Sequence, residues 1–427
     1  MTPRAAKVAA LYTLAFLSVL AAQSHAQTFK VLHTFTGADG ASPHGTLIMD
    51  RAGNLYGMAE YGGKYGNACH ARNYPDYGCG TAFKLSHLGS GWVLNTLYTF
   101  QGGSEGSHPD GFVVGPDGSF YVSTAAGGMG FCDPFTCGTI TKLSPPQAAC
   151  KSVVCPWTAK VLYRFSGGAD GGGPNGNLIF DSKGNFYGAT LVGGLGYGTV
   201  FEMSPSGGSW TESVLWAFPG GHDAAYPQYG VVFDPAGNLY GTTEEGGANY
   251  DRTVFQLTHS QGGGWNETLL YQFNSTGDSG NIPDSSLWLD ASGNLYGGTD
   301  TGGAGGCGTV YELMPQGGNW AFSVIQSFSG GLGCGGPWSE LTMDGAGNLY
   351  GVTFRSGAYG KGVVFKLTPA AGGWTYTSLH DFTGGSDGAL PSVLLIGPDG
   401  NLYGGAAAGA GQGCGGSGCG VLFEITP

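Results

Sequence analysis

Asp50-Arg51-Ala52-Gly53-Asn54-Leu55-Tyr56-Gly57 is the stretch that decides the fold. It returns, with substitutions, at residues 115–122, 181–188, 234–241, 290–297, 344–351 and 397–404. The copies are spaced by roughly 50–65 residues, the range of propeller-type repeats. Each reads as a short apolar strand, a D-x-x-G-N turn and a second strand L-Y-G-x-T. Gly and Asn both tolerate positive φ, which suits them to the turn.

Outward from this core, the third copy displays the whole unit. Gly176 to Asp181 reads as an inner strand A and Asn185 to Thr190 as strand B. A Gly-rich loop, 191–198, leads to strand C at Thr199 to Met203, and a short link leads to strand D at Trp210 to Phe218. A second Gly loop, 219–227, enters the next unit. No window carries an apolar helical period of useful length. Four short strands repeated seven times predict an all-β protein, a seven-bladed β-propeller with four strands per blade. The chain starts on a D-like strand, Thr28 to Phe35, and stops on a C strand, Val421 to Ile425. The N-terminal strand is therefore expected to complete the last blade, which removes two exposed sheet edges. In this order the B–C and D–A loops share one face, here the upper face.

The chain has 427 residues, 85 of them Gly, with 41% hydrophobic and only 11% charged. Gly at this level also occurs in collagen and low-complexity chains, but here it sits at fixed offsets between strand-like runs. Residues 1–26 read as a signal peptide: Arg4 and Lys7 precede an apolar run, Val8 to Ala22, and Ser24-His25-Ala26 resembles a cleavage site. The propeller domain is then 27–427, and the protein is expected to be secreted, periplasmic or on the cell surface, with no transmembrane segment after signal removal. No second apolar stretch suggests a C-terminal anchor.

Export suits ten cysteines. Cys69/Cys79, Cys132/Cys137 and Cys414/Cys419 are close pairs in equivalent B–C loops. Cys150 and Cys155 are a fourth close pair, expected to form a disulfide as well. Cys307 and Cys334 fall on the upper face of neighbouring blades, within reach of a disulfide. Zinc is the rival reading, but no pair has a second Cys or His pair at ligand spacing. The formal net charge is −13. With no basic patch, nucleic acid and anionic membrane surfaces are excluded as expected partners. The chain is read as a monomer.

The repeat D-x-x-G-N-L-Y-G-x-T-x-x-G-G, followed by G-T-V-F-x-L and W-x4-L-Y-x-F, resembles the GloVer tandem-repeat proteins, exported bacterial proteins with a choice of C-terminal anchors. The resemblance covers essentially all of the chain after the signal segment. It implies export and a propeller-like repeat. It implies no activity, and this chain departs from it in lacking an evident C-terminal anchor.

Comparing the seven copies separates what builds the fold from what one blade alone carries. The residue after the D–A loop Pro varies most: His44, Asp110, Asn175, Gln228, Asp284, Trp338 and Ser392. In a propeller these ring the upper mouth of the channel, and convergent polar groups at a concave mouth are a default binding site. The end of strand B reads Glu60, Ala125, Leu191, Glu244, Asp300, Phe354 and Ala407, followed by Tyr61, Glu245, Thr301 and Arg355 in four copies. Glu244, Asp284 and Asp300 come from neighbouring blades and suit either Ca²⁺ or the carboxylate pair of a glycoside hydrolase. Otherwise they are surface charge. His44, His70 and His108, with nearby Tyr and Arg, would suit β-elimination of a uronic acid. The recurrent acids Asp39, Glu105, Asp170, Asp223, Asp278 and Asp387 read as caps of the D–A loops. The D-strand aromatics and the B-strand tyrosines read as packing between blades. No dinucleotide fingerprint, G-x-S-x-G, H-E-x-x-H or P-loop is present.

Three functions follow. One is recognition of an extracellular ligand, a carbohydrate first, on the upper face. The second is a polysaccharide-active lyase or glycoside hydrolase on that face. The third is a structural envelope repeat protein. The pattern requires no cofactor, allows Ca²⁺, and leaves open whether the protein is an enzyme.

Overall fold

The computed structural model describes residues 27–69, 77–89, 91–130, 132, 137–146, 157–247, 252–274, 278–330, 333–411 and 413–427. Residues 1–26, expected to be a signal peptide, and His70, Cys150 and Cys155 lie outside them. The described chain is all-β and propeller-like, with 28 strands and three short 3-10 turns. Among the described residues no helix is long and apolar enough to cross a membrane.

The first sequence unit supplies Ala41–Met49, Leu55–Tyr61, Thr81–Leu88 and Gly91–Thr99 as an antiparallel meander, strands A to D. The other units repeat this plan. Thr28–Thr34 pairs antiparallel with Val421–Thr426 and so completes the last sheet, as the sequence predicts. Five sheets have four strands, but the sixth has eight, because the third and fourth units are joined by a parallel bridge between Asn177 and Gly230. The expectation of seven separate sheets is corrected there. The reason is glycine at the axis: a Cβ on Gly176 would sit 2.2 Å from the Tyr229 backbone, and one on Gly230 would sit 2.2 Å from the Asn177 carbonyl. The expectation of four full strands in every unit also fails in the fifth and sixth, whose inner strands shrink to Trp288–Leu289 and Thr342–Met343.

The repeated octapeptide forms a hydrogen-bonded module. Asp50 Oδ1 accepts from the backbone N–H of Ala52 and of Asn54, both at 2.9 Å. Its Oδ2 accepts from Asn54 Nδ2 at 2.7 Å and Tyr56 Oη at 3.1 Å. The copies headed by Asp181, Asp234, Asp290 and Asp344 make the same four bonds. Positive φ falls on Gly53 and not on Asn54, so Asn serves through its side chain. In the two copies that begin with Gly, the carboxylate moves two residues along: Asp117 takes Ser119, and Asp399 takes Asn401 and Tyr403.

The L-Y-G glycine has a separate cause. Gly57 pairs across the sheet with Phe83, and a Cβ there would meet the Phe83 ring at 2.6 Å. Gly188/Phe201, Gly241/Phe255, Gly297/Tyr311, Gly351/Phe365 and Gly404/Phe423 are equivalent. In the second unit the pair is Val122/Thr141, so the larger residue has changed strands. These rings are fully buried, each worth about 2–3 kcal/mol relative to exposure. The D-strand tryptophans Trp92, Trp157, Trp210, Trp265, Trp320 and Trp374 pack against the same clusters. Their structural reading holds.

Candidate functional site

A cavity of about 730 Å³ opens at the upper end of the axis, within the size range of small-molecule sites. Its position follows from the inner strands. Register breaks fall just after the variable residue, between His44 and Leu47, Asn175 and Ile179, and Gln228 and Val232. Bulges of this kind re-aim side chains. The residue before the loop Pro adds to the effect. Ser42, His108, Tyr226, Ile282 and Leu390 all lie near φ +60°, a region that costs a non-Gly residue about 1 kcal/mol. Ser42, His108 and Leu390 thereby line the cavity.

Of the predicted ring, His44, Asp110, Asn175, Gln228, Trp338 and Ser392 line the cavity. Tyr61 and Glu60 join them, while Asp284, Arg355, Glu244 and Asp300 do not line it. His44 Nδ1 donates to Asp110 Oδ1 at 2.8 Å, and Asp110 Oδ2 also accepts from the backbone N–H of Gly176. Burial opposes the charged form of His44, but the Asp110 hydrogen bond and charge, with Glu60 beyond, raise its pKa to about 9. Burial likewise opposes ionised Asp110, and His44 and Gly176 outweigh it and hold the pKa low. His108 is buried with its ring 5.3 Å from that of Tyr61. Burial lowers its pKa despite contacts to the backbone of Gly78 and Cys69.

The six candidate catalytic residues are not brought to one point. His44 and His108 stand in the cavity wall of the first two units, and His70 is outside the described residues. Glu244, Asp284 and Asp300 form a separate acidic group in the fourth and fifth units. There, burial and the charges of Asp300 and Glu244 raise Asp284 to about 8, with Arg252 opposing. Burial also raises Glu244 and Asp300. Glu244 is tied to Gln228. Arg355 lies over the Phe354 ring at 5.2 Å, and Phe354 lines the cavity. Among the described residues no three of His, Cys, Asp and Glu converge as metal ligands.

The floor was missed by sequence reasoning. Trp338 Nε1 donates to Tyr229 Oη at 2.6 Å, linking the sixth unit to the fourth. Below it, Thr46 donates to Asn177 at 2.7 Å and Asn177 to Glu340 at 2.8 Å, tying the first, third and sixth units together. Tyr229 lines both the upper cavity and a second one of about 370 Å³ beneath. The signal existed: the position after the ring residue reads Gly45, Gly111, Gly176, Tyr229, Ser285, Ser339 and Val393, and Tyr229 is its one large polar member.

The upper loops are stapled as the cysteine spacing predicts, by Cys69–Cys79, Cys132–Cys137, Cys307–Cys334 and Cys414–Cys419. The fifth expected disulfide, between Cys150 and Cys155, is not among these bonds, because both residues lie outside the described chain. Among the described residues no cysteine is free. Cys414 reaches the cavity wall. The D–A acids cap their loops: Asp39 accepts from Thr36, Asp170 from Ser166 and Asp387 from Thr383.

The model of one repeat family, the Gloeobacter/Verrucomicrobia repeat, matches residues 69–289 and 283–427. This chain belongs to that family. No curated protein matches this Gloeobacter/Verrucomicrobia repeat protein. Among solved structures it is similar to PorZ, a surface component of the type-IX secretion system of Porphyromonas gingivalis. That likeness has a TM-score of 0.50 at 14% identity, over 90% of this chain and 46% of PorZ. It is also similar to a gluconolactonase from Xanthomonas campestris, with a TM-score of 0.41 at 12% identity, over 91% of this chain and 95% of that one. The PQQ-bound aldose sugar dehydrogenase of Streptomyces coelicolor has a TM-score of 0.41 at 13% identity, over 93% and 98%. At these identities the likeness is one of fold alone. The cavity of the Gloeobacter/Verrucomicrobia repeat protein has therefore to be read from its own residues.

Proposed function

We propose that this is an exported seven-bladed β-propeller, residues 27–427, that binds an extracellular carbohydrate in its axial cavity. One blade per sequence copy is the reading, with the third and fourth blades sharing a sheet at the axis. The observation that carries the binding proposal is the cavity. Its wall joins the amides Asn175 and Gln228, the hydroxyls Ser42 and Ser392 and the rings of Tyr61, Trp338 and Phe354. A scaffold needs no such opening. Sugar rings offer hydroxyls to amides and carboxylates and an apolar face to aromatic rings, and this wall supplies both. Four disulfides in the described upper loops support an oxidising compartment.

The test is a panel of polysaccharides and oligosaccharides in affinity gels and calorimetry, with and without Ca²⁺. Retardation that Trp338→Ala weakens by about tenfold or more is the expected result. No retardation by any member would leave the envelope scaffold as the reading. The hydrolase is kept as a second reading because Asp284 stands with Asp300 and Glu244 in one acidic group, where burial and their charges push its carboxyl up to about 8. It requires new reducing ends that disappear in Asp284→Asn. The lyase finds less support, since His44 is engaged by Asp110 and His108 is buried.

A further inference from the structure

We infer that the axial cavity takes an uncharged saccharide and rejects uronates and other anionic sugars, an inference that rests on the carbohydrate reading above. Among its described lining residues there is no Lys or Arg. The imidazole of His44 is already engaged by Asp110 at 2.8 Å. Asp110 contributes a carboxylate to the wall and Glu60 a carboxyl group whose pKa burial raises, with His44 opposing.

Two arginines outside the wall act on the acidic group of the fourth and fifth units. Arg252 opposes the charge of Glu244 and Asp284 and donates to Asn281 at 3.1 Å. Arg355 opposes Asp300. A uronate entering here would lose hydration, meet no Lys or Arg among the described lining residues and face carboxyl groups, a costly arrangement for a buried charge. The net charge of −13 adds repulsion during approach. A neutral sugar meets none of these penalties. Its hydroxyls can donate to Glu60 and to the carbonyl oxygen of Asn175, and the amide N–H groups of Asn175 and Gln228 can donate in return.

The experiment is calorimetry of the full chain near neutral pH and low salt. The probes are neutral β-glucan and xylan hexasaccharides, set against galacturonate and alginate hexasaccharides. The expected result is binding of at least one neutral series, with every uronate weaker by about tenfold or more. High salt screens charge repulsion and narrows the gap, and so does Glu60→Gln. Should that variant fold poorly, the salt titration of the unmodified chain still decides. Uronates that bind as tightly as neutral sugars overturn the inference and leave the carbohydrate reading standing. A preference for neutral sugars that salt leaves unchanged also overturns it, because the discrimination would then be steric. Binding of neither class overturns both.

Discussion

At the scale of single residues, the pair His44 and Asp110 joins two of the candidate ligand-binding positions from neighbouring units. Their separation of 66 residues hides this in the sequence, where they read as two independent polar choices. The His pKa is raised, so its contribution to stability is complete below its ordinary value near 6.5 and is lost as pH climbs through about 9. The Asp pKa is lowered, so its contribution is present above the ordinary carboxylate value and is lost as pH falls. The pair therefore stabilises the fold between these limits. His44→Ala is expected to cost about 1.5–3 kcal/mol near pH 7, the worth of a hydrogen bond to a charged group. It should also flatten the alkaline limb of a plot of thermal midpoint against pH. A limb near pH 9 that persists in the variant would place the titration elsewhere. Asp110→Ala is the more damaging change, since it also leaves the Gly176 N–H without its carboxylate.

At the scale of elements, the chain contains its own control. Six units pair a strand-B glycine with a strand-C aromatic, and the second unit pairs Val122 with Thr141. The two solutions fill one volume from opposite strands. Gly57→Val alone drives a side chain into the Phe83 ring, and overpacking of this kind costs about 1–3 kcal/mol. Phe83→Thr alone empties a core site and costs about 3–5 kcal/mol. The double variant reproduces the second unit and is expected to recover at least about 1 kcal/mol relative to the summed single effects. Denaturant unfolding of the four proteins measures this, and strict additivity would mean that the two positions do not share a volume. The repeat was legible because these local devices recur: Asp with Asn and Tyr in the turn, and Gly with Phe across the strands. The short inner strands of the fifth and sixth units were not legible in the sequence; in the fold, only the isolated bridges Asn281–Thr301 and Pro337–Thr353 join the rest of each inner segment to strand B or its end.

At the scale of the whole molecule, closure depends on one strand. Thr28–Thr34 forms the edge of the last sheet, where Phe29 stacks on His380 at 3.7 Å and on Phe423 at 5.6 Å. A chain lacking residues 27–34 would expose Val421–Thr426 as an open apolar edge, the geometry that invites association. It is expected to lose at least about 3 kcal/mol from the unburied Phe29, Val31 and Leu32 and to aggregate on warming. Thermal unfolding with light scattering tests this. Unchanged melting would show that the ring holds without its terminal strand.

The sequence alone determined the repeat, the strand order, the closing partner and four of the staples, because each is encoded within one unit, between consecutive units or by the two ends. It also marked the ring position, since a site built on seven equivalent strands shows up as the column that varies. Tertiary structure decided which members of that column face the cavity and what lies beneath them. His44 on Asp110, Trp338 on Tyr229, and Thr46 on Asn177 on Glu340 are all contacts between units. They depend on glycine-permitted approach of backbones at the axis and on small displacements of each inner strand. No pattern within a single repeat carries that information.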